Sequence, residues 1–211
     1  MRLQDSSIYQ EYLSRTTNSR VIHEEAIHLL PGGNTGTSLF HHPYPTYIQR
    51  GLGSRIFDVD GNELIDFLNN YTSLILGHSH PAVVAALEER LPLGTAYAAP
   101  TDLEVKLASI LCERVPSVER VIFTNSGSEA VMAALRAARA FTGRSMIAKF
   151  EGGYHGCYDH VCVSGKTPLE QAGDPTTPAS VADNAGIPSR VLSEVAVMRF
   201  NDIDSVEKVL N

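Results

Sequence analysis

Val121-Ile122-Phe123-Thr124-Asn125-Ser126-Gly127-Ser128-Glu129-Ala130 is the stretch that decides the fold. Three apolar residues with strand character run into a polar turn. An Ala-rich helical pattern follows from Glu129 to about Phe141 and stops at Thr142-Gly143. Strand, turn and helix in that order are the first half of a βαβ unit. Further short apolar runs come at Met146-Ile147-Ala148, Val161-Cys162-Val163 and Val195-Ala196-Val197-Met198, and a helix is expected at 203–210. Strands alternating with helices imply an α/β fold with a mostly parallel sheet and flanking helices. Residues 167–190, rich in Pro, Thr, Ala, Gly and Asp, read as a long surface loop.

Working outward, residues 102–114 have helical spacing with Asp102 as the cap candidate, and 81–91 open on Pro81 at a first helical position, where a missing N–H costs nothing. Residues 46–67 look like a small antiparallel unit, with Asp60-Gly61-Asn62 as a turn between two apolar runs. Residues 7–30 read as one helix whose middle, Thr16-Thr17-Asn18-Ser19, is weakly helical and open to a break. Pro31-Gly32-Gly33-Asn34 stops it, and a Gly- and Pro-rich loop runs over 31–45. The expected division is an N-terminal segment over 1–80 and a larger α/β unit over 81–211.

The 211 residues are 43% hydrophobic and 19% charged, ordinary for a globular protein. Seventeen Lys and Arg against 24 Asp and Glu leave a net charge of −7, a poor match to a nucleic-acid backbone. No apolar run approaches the ~20 residues that span a bilayer. The start, with Asp5 and Glu11 and no apolar core, reads as neither a secretory nor a transit leader. Cys112, Cys157 and Cys162 have no paired spacing, so no disulfide framework and no metal site is expected. The reducing cytoplasm is the expected location.

Two segments can carry chemistry. Ser126-Gly127-Ser128 stands at a helix start, where unpaired N–H groups and the positive dipole end attract anions. A phosphate suits it, and an ordinary capped helix start at Ser128-Glu129 fits the same residues. Phe150-Glu151-Gly152-Gly153-Tyr154-His155-Gly156 follows a predicted strand, at the end where open α/β sheets bind ligands. Its glycines leave room for a flat group on which Tyr154 or His155 could stack, although a glycine-rich turn with a packed aromatic reads equally well. Together the two segments suit a phosphorylated aromatic ring. A zinc site from His78 and His80, or from His155, Asp159 and His160, lacks partners at a convincing spacing.

Six segments then carry a resemblance: Pro31-Gly32-Gly33, Phe57-Asp58-Val59-Asp60-Gly61-Asn62, Leu76-Gly77-His78-Ser79-His80-Pro81, Phe123-Thr124-Asn125-Ser126-Gly127-Ser128-Glu129-Ala130, Thr142-Gly143-Arg144 and Phe150 to Gly156. In their order and spacing the chain resembles the class III, fold type I aminotransferases that use pyridoxal 5′-phosphate, and within them the glutamate-1-semialdehyde aminomutase branch. The resemblance implies the N-terminal part of that fold. It implies a cytoplasmic homodimer that passes an amino group between a small amino donor and a carbonyl acceptor. It places the cofactor phosphate on Gly127 and Ser128, with Ser126 close by. Tyr154 would stack on the pyridine ring, with His155 near it. The DVDGN and GHSHP segments would be structural.

Two departures matter. The family's Schiff-base lysine and its pyridine-binding aspartate lie beyond Asn211, and none of Lys106, Lys149, Lys166 and Lys208 stands in the family's catalytic context. The chain therefore reads as an N-terminal half, with apolar surface and a strand edge expected to be uncovered. A non-catalytic subunit and a fragment without activity of its own are the competing readings. Residues 34–40, Asn-Thr-Gly-Thr-Ser-Leu-Phe, also lack the arginine that pairs a carboxylate in many relatives. Tyr71 is a candidate pocket wall, or else a core tyrosine.

Overall fold

A computed structural model of the chain describes residues 6–36 and 39–210. Thr37 and Ser38 of the loop read over 31–45, and Asp5 of the leader reading, lie outside the described residues. The chain folds as two units, Met1–Pro100 and Thr101–Asn211.

The first unit begins with two helices, α1 (Ser7–Arg15) and α2 (Thr17–Leu29), separated at Thr16 inside the weakly helical tract. The break has a tertiary cause. The Asp60 carboxylate accepts the N–H groups of Asn18 at 2.6 Å and Ser19 at 3.0 Å, the orphan donors of α2's first turn. These bonds hold Asp60 below its ordinary pKa against the opposing effect of burial. Strands β1 (Ile48–Leu52), β2 (Arg55–Asp58) and β3 (Glu63–Ile65) form an antiparallel sheet in sequence order. Asp58 is buried and accepts the N–H groups of Asp60 and Asn62, so the DVDGN turn is held from inside.

Beyond β3, Asp66 accepts the N–H groups of Leu68 and Asn69 and meets His78 Nε2 at 2.7 Å. Residues 69–72 then run through four consecutive left-handed conformations, φ +48° to +68°, although none is glycine. Such backbone costs about 1–2 kcal/mol per residue and persists only where neighbours over-determine it. His78 lies against Gly51, where a Cβ would come within 2.4 Å of its ring. Its backbone exchanges two hydrogen bonds with Gly53. Helix α3 (Pro81–Arg90) carries Pro81 at its first position, as expected.

The second unit opens with α4 (Asp102–Arg114). Its cap is Thr101 rather than Asp102: Thr101 is extended, and Glu104 reaches back to accept its N–H at 2.9 Å, so the reciprocal box forms one residue earlier. Helix α5 (Gly127–Thr142) ends at Gly143, whose φ of +70° is the left-handed cap that glycine adopts freely. Strands β4 (Ile147–Phe150) and β7 (Val195–Met198) pair in parallel, with Lys149 opposite Val197. Between them, Gly173–Asp174 (β5) and Thr177–Pro178 (β6) form a small hairpin, and α6 (Ser189–Leu192) precedes β7. Helix α7 (Ile203–Leu210) closes the unit, its first-turn Ser205 N–H taken by Asp202.

Three expectations fail here. Residues 121–123 are apolar but form no strand; a strand is defined by a hydrogen-bonded neighbour, and none lies beside them among the described residues. Residues 161–163 give one helical turn at Asp159–Val161 and a single bridge from Val163 to Ala182, because Ser164 turns the chain at φ +50°. The segment 167–190 is not wholly a surface loop, since Pro178 and Ile187 are buried.

The core of this unit is small: Val163, Ile187, Val191, Val195 and Val197, with Ile147, Cys162, Ala182 and Leu192 packed on it. The chain's accessible surface is 15711 Å². Folded monomers scale to about 9,600 Å² at this mass, and two separate halves to about 11,600 Å². Large apolar side chains contribute to the difference: Phe67, Ile75, Ile122 and Phe141 are each more than four-fifths exposed.

Candidate functional site

The start of α5 is built by Ser126, not by Ser128. Ser126 is extended, with its Oγ accepting the Glu129 N–H at 3.2 Å, while Glu129 accepts the Asn125 N–H at 2.7 Å. Ala130 N–H bonds the Ser126 carbonyl. The N–H groups of Gly127 and Ser128 are then the first two of the helix, which helical geometry leaves without a partner in the helix. A Cβ added to Gly127 meets nothing within 4 Å, so open space lies beside that N–H.

Ser128, displaced from the cap, has a different task. Its Oγ accepts the Cys157 backbone N–H at 3.0 Å. The bond joins the helix start to the glycine-rich loop after β4, 29 residues on. Because Oγ is the acceptor there, the hydroxyl proton remains available to a further oxygen. Gly156 makes the approach possible: at φ +100°, its absent Cβ would lie 2.5 Å from Ser128 Oγ and 2.7 Å from Ser128 Cα. Sequence reasoning assigned no role to Gly156 or Cys157; a last glycine after Tyr154-His155 was the only signal.

The loop itself leaves β4 with Glu151 N–H on the Met198 carbonyl and Gly152 N–H on the Ser164 carbonyl, both at 2.8 Å. Tyr154 is 80% exposed, so its ring is not packed. Its hydroxyl lies 3.8 Å from Cys157 Sγ, and that thiol pushes the phenol's pKa upward. His155 is exposed, with its ring folded over Gly153. Cys162 Sγ donates to the Gly156 carbonyl at 3.4 Å, and burial raises the thiol's pKa.

Thus Ser128, next to Ser126 and Gly127 at the helix start, is brought against Gly156 and Cys157, with Tyr154 on the connecting loop. Tyr71 belongs to the first unit, half exposed within the left-handed run. The arrangement offers two free helix N–H groups, a serine hydroxyl and an uncovered ring. These fit the phosphate and the planar heterocycle of pyridoxal 5′-phosphate.

The family profile of class-III aminotransferases matches residues 38–195. The chain belongs to the class-III aminotransferases. It is 45% identical over 198 residues to the glutamate-1-semialdehyde 2,1-aminomutase of Syntrophomonas wolfei, covering 92% of this chain and 44% of that protein. Against the enzyme of the same name from Thermodesulfovibrio yellowstonii it is 43% identical over 199 residues, 93% of this chain and 45% of that one. Among solved structures it is similar to an omega-transaminase from Sphaerobacter thermophilus, with a TM-score of 0.88 and 46% identity over 97% of this chain and 46% of the other. It is similar also to a transaminase with PLP bound, with a TM-score of 0.84 and 43% identity over 92% of this chain and 44% of the other. This class-III chain therefore has the α/β architecture of fold type I and spans about half the length of the relatives it matches.

Proposed function

We propose that this chain is the cofactor-phosphate side of a pyridoxal-phosphate-dependent aminotransferase or aminomutase acting on a small amino donor and a carbonyl acceptor. The observation that carries the reading is the junction of Ser128 Oγ with Cys157 N–H at 3.0 Å, beside the helix N–H groups of Gly127 and Ser128. When bound, the cofactor supplies an electron sink that lets an amino group pass between carbons. The chain's own residues bind and orient. Gly127 and Ser128 donate N–H groups to the phosphate, the Ser128 hydroxyl adds a third donor, and the α5 dipole favours the negative charge. Tyr154 lies against the ring face, with His155 next to it. Tyr71 forms a wall of the substrate pocket. The N-terminal segment read to residue 80 falls inside the first unit, and this cofactor part lies in the second, Thr101–Asn211.

No lysine of the chain is assigned the covalent role. Lys149 is buried on the Val163 carbonyl, Lys106 pairs with Asp102, and Lys208 bonds Thr176. A subunit that holds the cofactor without catalysis is the second reading. A homodimer and a cytoplasmic location are our expectations.

The test is a titration of the full-length protein with pyridoxal 5′-phosphate, followed by an amino-transfer assay. An absorbance shift that borohydride makes permanent on a lysine outside residues 1–211, together with turnover, supports the enzyme. Tight binding without a lysine adduct supports the second reading. No binding refutes both.

A further inference from the structure

Lys149 is the buried cation of the second unit. It sits in β4 with 5% of its surface exposed, and its Nζ donates to the carbonyl of Val163, a residue fully removed from solvent. Burial lowers its pKa, with Asp183, Cys162 and Glu151 as the charges that oppose the shift. An ammonium so placed costs free energy unless it does something a methionine could not.

What it holds is a corner. The next residue, Ser164, is fully buried and left-handed at φ +50°. Its N–H goes to the Val181 carbonyl, its hydroxyl donates to the Ala179 carbonyl at 2.8 Å, and that same oxygen accepts the Val181 N–H at 3.0 Å. Gly165 N–H bonds Asp183 at 2.7 Å. The corner has one remaining main-chain acceptor, the Ser164 carbonyl, and it takes the N–H of Gly152, the first glycine of the loop that carries Tyr154. Lys149 is thus linked to that loop through two hydrogen bonds, its own to Val163 and that of Gly152 to Ser164.

We propose that Lys149 is a positioning residue: its ammonium fixes the Val163–Ser164 corner, and through Gly152 the corner seats residues 152–156 against Ser128. Only the cofactor arm of the test below rests on the function proposed above.

The experiment uses the full-length protein as wild type, Lys149→Met, Lys149→Gln and Lys149→Arg. Amide hydrogen exchange is read without cofactor over 150–158 and over 203–210. Loss of one buried hydrogen bond to a charge predicts about tenfold faster exchange over 150–158 in K149M and K149Q, near wild-type exchange in K149R, and no change over 203–210. Equal acceleration in both peptides would make the lysine a general stabiliser and overturn the proposal, as would unchanged exchange over 150–158. Wild type alone supplies an arm that survives a misfolded variant: the Gly152 amide must be protected, and exchange at the unfolded-chain rate overturns the corner. In the cofactor arm, K149M weakens pyridoxal 5′-phosphate and pyridoxal by the same factor, because the phosphate donors are untouched. A selective loss for the phosphorylated form counts against a ring-side role. Loosening of the loop in variants of a protein that binds no cofactor would support the positioning role and refute the function proposed above.

Discussion

Ser128 Oγ accepts the Cys157 backbone N–H at 3.0 Å, so the hydroxyl on the helix's second residue also holds the loop that carries the exposed ring. The bond explains why Ser128 is not the helix cap. A cap bonds its own turn; this oxygen bonds a segment 29 residues away.

Ser128→Ala therefore loses two things, an anchor of the loop and a hydroxyl donor to an anion. Affinity for pyridoxal 5′-phosphate falls roughly ten- to hundredfold, the worth of a hydrogen bond to a charged group. Titration with pyridoxal separates the two losses: its affinity falls less. Equal losses for both ligands would contradict the phosphate role.

Gly127 and Gly156 respond oppositely to alanine. A Cβ at Gly127 meets open space, so G127A leaves the ligand-free protein as stable as wild type or slightly more so, since alanine favours a helix. A Cβ at Gly156 strikes Ser128 in a backbone region alanine avoids, and costs about 1–3 kcal/mol. Thermal melts of both variants check this. G127A should still weaken the phosphorylated cofactor, because the methyl occupies the space beside the free N–H.

Tyr154 contributes a ring, and its hydroxyl touches only Cys157 Sγ among the bonds described. Y154A is expected to weaken cofactor binding about tenfold, and Y154F to leave it nearly intact, because ring contact resides in the face. Fluorescence titration distinguishes them. Unchanged affinity in Y154A would remove the stacking role.

Asp66 sets a pH dependence. The Asn69 N–H, then His78, hold its carboxyl below the ordinary aspartate value. A depressed folded-state pKa contributes stability that is present above the unfolded value of about 3.9 and is lost as pH falls through the folded one. Asp66→Asn lacks that contribution. The melting difference between wild type and D66N is greatest near neutrality and shrinks below about pH 4. A difference that stays constant into acid would show that the carboxylate's charge plays no part.

Local chemistry explains what was legible in the residues. The breaks at Pro31-Gly32-Gly33 and at Gly143, the hairpin turn at Asp60-Gly61-Asn62, and the helices at 81–90 and 127–142 each follow from propensity, a proline or a left-handed glycine, whereas the break at Thr16 also uses the distant Asp60 carboxylate. The cap of α4 was missed by one residue because Thr101 and Glu104 act as a pair. The strand expected at 121–123 does not form, because pairing is not a property of three apolar residues.

By itself, the sequence determined most of the helices, the first antiparallel sheet, the Ser-Gly-Ser helix start, the glycine-rich loop and the family to which they belong. These rest on contacts within a few residues, where backbone preference and hydrogen-bond reach are local. Only the tertiary structure decided that Ser126 rather than Ser128 caps the helix, that Ser128 and Cys157 are bonded, that Gly156 is the point of closest approach, and that Lys149 is buried beneath the loop. All but the first join residues far apart in the chain, and such partners are chosen by how the whole unit excludes water and satisfies its buried donors, which no short stretch of sequence encodes.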